Sequence, residues 1–222
     1  RELGYQDIMQ EKFRMLLRNY PQSSFVPKVH LAFAEFYFRQ GRAGLKNATD
    51  YYIKVINNPK VKEGENIHIY YYARRMLGWC YFNMQDFPRA QSEFLFVAQN
   101  AKQETLKKQA RREVVMAYAM KGNRELAYNF FVHQLGAEYA KDLYLMLANE
   151  YFTQGNMPNM IFVYEDLIKR FPQDAARCEW WQQIYQGYKL DNILDKMEYS
   201  LKQVVKAMED LKKQFGEKKL DT

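Results

Sequence analysis

Cysteine, proline and glycine are scarce: 2, 6 and 10 in 222 residues. So few cysteines exclude a disulfide framework, and so few turn formers argue against a many-stranded sandwich. Cys80 and Cys178 fall in helical patterns several helices apart, and cysteines more than about 7 Å apart at Cα cannot bridge. They read as buried free thiols and say little about redox compartment. No apolar run approaches the roughly 18–20 residues that a membrane-crossing helix needs. Chemistry is lacking too. His30, His68 and His133 are far apart, with no His-Glu-x-x-His spacing. There is no Gly-rich phosphate loop and no Ser or Cys in a nucleophile motif. The sequence therefore offers no catalytic residue, no metal ligand and no cofactor site, and reads as a non-enzyme.

Neither sign of charge dominates. Lys and Arg total 33 against 26 Asp and Glu, a formal balance of +7. The densest basic cluster, Lys107, Lys108, Arg111 and Arg112, reads as the solvated face of a helix in preference to a nucleic-acid footprint. The chain opens on Arg1-Glu2-Leu3, enters a helical pattern almost at once, and reads as a piece of something longer. The lack of a leader is thus no argument for a cytoplasmic home.

What is abundant is aromatic: 18 Tyr and 15 Phe within 48% hydrophobic content. A short string recurs among them. A small residue is followed three later by Tyr, seven later by a turn, then by a small or apolar residue, an aromatic and an aliphatic. The clearest copy is Gly78, Tyr81, Gln85-Asp86, Ala90, Phe94, Val97. Others read Ala148, Tyr151, Gly155, Met160, Tyr164, Leu167, then Val115, Tyr118, Gly122, Ala127, Phe131, then Ala34, Tyr37, Gly41, Ala48, Tyr52, Val55. The steps Tyr37, Tyr81, Tyr118, Tyr151, Tyr185 are 44, 37, 33 and 34 residues, a period near 34. The first step is lengthened by two residues before Ala48 and by the linker Asn57–Ile67. Phe13 to Pro21 repeats the step from Tyr164 to Pro172, so the array begins mid-unit.

Physics explains the string as two antiparallel helices. Small residues mark their close crossing, and Tyr81 or Phe94 fills the space on either side. Val115 and Met160 replace small residues and predict looser crossings. Gly41, Gly122 and Gly155 suit a left-handed residue closing the first helix. Pro27 suits a first helical turn, and Asp174 a cap.

On these copies the chain resembles the tetratricopeptide repeat family over roughly residues 8–188, without that family's early Trp. The resemblance implies an all-α, right-handed superhelical solenoid of antiparallel hairpins ending in a long C-terminal helix. Residues 1–189 form the array, a partial repeat over 1–21 and then four to five repeats; 190–222 form the helix and tail. The phrase Tyr72-Ala73-Arg74-Arg75-Met76-Leu77-Gly78-Trp79-Cys80-Tyr81-Phe82-Asn83 is similar to bacterial cell-envelope members, some of them lipoproteins. That implies a periplasmic or outer-membrane-associated home, with cytoplasmic as the alternative.

The family's concave face is lined by first helices and holds another protein or peptide. Helical spacing places Arg39, Tyr72, Arg75, Trp79, Phe82, Asn83, Arg112, Met116, Asn149 and Phe152 there. Aromatic and methionine side chains adapt to apolar ligands and Arg forks onto carboxylates, so the expected guest is apolar with one or two acidic groups. The competing reading has Trp79 and Phe82 packing against the next repeat. The alternative function is a helical-repeat nucleic-acid binder, against which Glu35 and Asp142 in the same row argue. Finally Met197, Leu201, Val204, Met208, Leu211 and Phe215 make a heptad seam in a helix over 190–215. That helix packs on its own chain, pairs with a second copy, or leads to further repeats.

Overall fold

The computed structural model describes residues 2–215, leaving aside the side chains at 2–7, 9, 65, 214 and 215. Its helices are α1 (Glu2–Asn19), α2 (Val26–Arg39), α3 (Leu45–Asn57), α4 (Ile67–Asn83), α5 (Phe87–Asn100), α6 (Glu104–Lys121), α7 (Ala127–Leu135), α8 (Ala137–Thr153), α9 (Met157–Arg170), α10 (Arg177–Leu190) and α11 (Leu194–Phe215). No strand occurs among the described residues. The fold of the described residues is all-α, built of helices that pack on their neighbours in the chain. The chain divides inside α6 into two compact units, Arg1–Ala117 and Tyr118–Thr222. In the first, α2 packs on α3 and α4 on α5, with α3 also against α4. In the second, α8 packs on α9, α9 on α10 and α10 on α11.

The hairpin turns show how sequence makes the unit. Left-handed residues close the first helices: Gly41 (φ 63°), Gln85 (φ 63°), Gly155 (φ 70°) and Asn192 (φ 57°). One residue beyond, the amides of Asp86, Asn156 and Ile193 reach back to the carbonyls of Tyr81, Tyr151 and Tyr188 at 2.8–2.9 Å. These bonds satisfy carbonyls that the helix end leaves without partners. Asp86 and Asn156 then cap the next helix, accepting from the amides of Arg89 and Asn159. A proline follows two residues after each cap, where its missing N–H costs nothing.

Two expectations about the turns are corrected. The fifth repeat tyrosine is Tyr188, not Tyr185, because Tyr188 stands four residues before the left-handed Asn192 as Tyr151 stands before Gly155. Gly122 is not left-handed; a Cβ there would meet the Tyr118 ring at 2.3 Å. Its smallness serves a close approach and not a turn.

Val115 and Met160, which replace small residues in the repeated string, are each 1% exposed. Gly187 on α10 makes room for Met160, whose Cε lies 2.6 Å from where a Gly187 Cβ would stand. Phe33, Phe94 and Phe131 are no more than 1% exposed. Burial of such a ring is worth about 1.5–3 kcal/mol, which is how short hairpins are held together. The linker after α3 has structure of its own. It forms two 3-10 turns, Pro59–Val61 and Gly64–Asn66, and buries Val61 beside α3 and α4. Of the two free cysteines, Cys80 is buried as expected and Cys178 only half-buried.

Candidate protein-interaction surface

The residues named from the sequence lie on the first helices of the hairpins. In the first unit this row runs over α2, α4 and most of α6. Tyr72 on α4 donates its hydroxyl to Glu35 Oε1 on α2 at 2.9 Å. One turn on, Arg75 Nε donates to both oxygens of Glu113 on α6, at 2.7 and 2.8 Å. Trp79 Nε1 donates to the same Glu113 Oε1 at 2.9 Å. Three successive first helices are thus tied by two carboxylates. The Glu113 side chain is only 5% exposed and Arg75 is 23% exposed. A buried carboxylate is tolerable when charge-assisted bonds fill its lone pairs, as they do here. Burial, and then the bond to Glu35, push the Tyr72 phenol up to about 12. Arg39 and Arg75 oppose that shift, which places both guanidinium groups within electrostatic reach of Tyr72.

The apolar floor lies beside this ladder. Trp79 meets Phe82 edge-on at 5.4 Å and Phe94 of the second helix at 5.5 Å. Phe82 in turn meets Phe87 at 5.3 Å. Trp79 and Phe82 are half-buried, so each shows part of its ring. Arg39, Asn83 and Arg112 are exposed, and Met116 is half-buried. A cleft of about 480 Å³ opens beside Tyr72, lined by Ile67, Tyr71 and Leu106 with Lys102 at its rim. Asn83 belongs to a second cleft, of about 390 Å³, with Arg42 and Lys46.

The ten residues named from the sequence therefore separate. Arg39, Tyr72, Arg75, Trp79, Phe82, Asn83, Arg112 and Met116 belong to the first unit, while Asn149 and Phe152 belong to the second. Both of the latter are exposed, Phe152 at 43%. Sequence reasoning missed Glu113. The equivalent position holds Ala32, Met76 and Met146 in other copies, so a lone Glu at an otherwise apolar place was the available signal. The basic cluster also needs correcting. Arg111 is 9% exposed and bonds Glu104 at 2.9 Å, so it is not part of a solvated face.

Among the described residues no group of three or more His, Cys, Asp or Glu side chains could hold a metal ion. No described helix is long and apolar enough to cross a membrane. No family model matches the chain, and no curated protein matches it. Among solved structures it is similar to one described as the crystal structure of MamA protein. The match covers 87% of this chain and 97% of that one, at 16% identity and a TM-score of 0.47.

Proposed function

We propose that this chain is a non-enzymatic scaffold that holds a segment of another protein along its first helices. The observation that supports this most is a division of labour on α2, α4 and α6. Glu35 and Glu113 hold Tyr72, Arg75 and Trp79 rigid, while Arg39 and Arg112 stand exposed on either side. A pre-ordered aromatic floor gives contact area at little cost in ordering, and exposed guanidinium groups supply carboxylate recognition. The fitting guest is an apolar segment with one or two acidic groups. The envelope reading rests on the phrase Tyr72–Asn83 and is tested by cell fractionation.

The experiment follows from the geometry. Arg75 and Trp79 are poor probes, because removing either strips Glu113 of a donor. Arg39 and Arg112 donate none of the ladder's hydrogen bonds, and removing them leaves those bonds in place. A photo-crosslinker at Asn83 identifies the partner segment in cells, and the purified segment is then titrated into wild type and Arg39→Ala/Arg112→Ala. Weaker binding with an unchanged thermal melt supports the reading. Crosslinks only from the opposite face, on α5, would reject it.

A further inference from the structure

The last helix presents a surface that its counterparts do not. Counted from the turn residues Gly155 and Asn192, Leu194, Glu198 and Leu201 of α11 occupy the places of Met157, Ile161 and Tyr164 of α9. In α9, which packs on both α8 and α10, these are 6%, 7% and 5% exposed; Ile161 lies against Gly187 of α10. The places of Leu194 and Leu201 are closed in the first unit as well. Leu45 and Phe87 are 3% and 8% exposed there, and Tyr52 and Phe94 are 0%. In α11, Leu194 is 69% and Leu201 47% exposed.

The heptad seam is therefore split. Val204, Ala207 and Leu211 are buried, α10 being the helix packed on α11, and Ser200, one turn before Val204, is 0% exposed. Leu201 and Met208, which the sequence places in the same seam, turn outward together with Val205, at 47%, 44% and 56% exposed. At 100° per residue, Leu194, Leu201, Val205 and Met208 share an arc of about 60°. The stripe is about 21 Å long at 1.5 Å per residue.

Its flanks choose the occupant. Glu198 and Lys212 extend the same arc, each seven residues from Val205 and of opposite sign. Two such helices crossing antiparallel at Val205 place Glu198 of each beside Lys212 of the other, at both ends at once. A parallel pair would set like against like. The polar neighbour of Glu198 is Lys202, at 2.6 Å with both side chains 70% exposed, a surface pair easily exchanged. We propose that the part of this stripe around Val205, from Leu201 to Met208, is the contact of an antiparallel dimer with a second copy of this chain. One helix pair buries less than the 1,200–2,000 Å² or so of a standard stable interface, so the dimer is weak and concentration-dependent.

Sedimentation equilibrium of the 222-residue chain tests it. The mass average rises toward twice the monomer between about 1 and 200 µM, the range a weak interface implies. Leu201→Glu/Val205→Glu stays monomeric over that range with the wild-type circular dichroism melt, both residues being exposed. Glu198→Lys alone and Lys212→Glu alone weaken the dimer about tenfold, and the two together restore it. A wild-type monomer at 200 µM or so overturns the proposal. Single charge variants that dimerise like wild type overturn the antiparallel arrangement.

Discussion

Successive first helices are linked in both units, but by different means. Between α4 and α6 the link is Glu113, 5% exposed and filled by Arg75 and Trp79. From α8 to the turn before α10 it is Lys141 on Asp174, with side chains 35% and 20% exposed. The Lys141 ammonium also lies 5.4 Å from the Phe171 and Trp180 rings. A buried carboxylate depends on its partners, whereas water can reach a half-buried one and take its partner's place. The first link sets geometry rigidly at high stakes; the second is replaceable.

The largest effect should come from breaking the buried link. Arg75→Ala leaves Glu113 uncompensated and is expected to cost about 3–5 kcal/mol in urea unfolding. Adding Glu113→Leu should recover most of that loss, since charge and partner leave together. Lys141→Ala, by contrast, should cost about 1 kcal/mol or less. Equal losses from Arg75→Ala and Lys141→Ala would erase the distinction.

The glycines at helix crossings sharpen it. A Cβ on Gly78 would stand 2.6 Å from Phe94 Cε1, and one on Gly187 2.6 Å from Met160 Cε. The distances match but the neighbours do not: a buried ring in a full core cannot swing aside, while a methionine end can. Gly78→Ala should destabilise by about 1–3 kcal/mol, and Gly187→Ala should stay within about 1 kcal/mol of wild type, with the gain in helix propensity offsetting the shift. Thermal melts of the pair decide.

A smaller effect is expected at the turns. Gln85 holds φ 63° where the second unit uses Gly155 at φ 70°. Gln85→Gly should stabilise by about 0.5–1 kcal/mol, and Gly155→Gln should lose about 1 kcal/mol.

The smallest is a difference in pH response. Asp174 is raised by partial burial, but the Lys141 bond and the Ala176 amide outweigh this and hold it below 3.8. Its contribution is present above that value and is lost as pH falls through the lower folded one. Glu93 is pushed above 4.5 by burial, against the opposing pull of Arg74. Its contribution is present below 4.5 and lost as pH rises through the higher folded value. Asp174→Asn should therefore flatten the acid limb of stability below about pH 4, and Glu93→Gln the slope just above pH 4.5 or so, read from urea midpoints.

The hairpins were legible because their chemistry is local. The steps from Tyr37 to Tyr151 and the small residues Ala34, Gly78 and Ala148 report contacts within one hairpin, and those contacts recur. The fifth copy was misread because its turn uses Asn192 and not glycine, and because Tyr185 and Tyr188 both fit a loose period. Glu113 was invisible for another reason: its role lies between hairpins, where pairing partners do not repeat. The splitting of the α11 seam was also hidden, since a heptad shows which residues are apolar but not which neighbour takes them.

Affinity of the crosslinked partner segment for Arg39→Ala/Arg112→Ala, against wild type and at matched stability, bears most directly on the row of first helices as a binding surface. The surface described here predicts a loss of about tenfold or more, with the melt unchanged. Identical dissociation constants for the two proteins would contradict it.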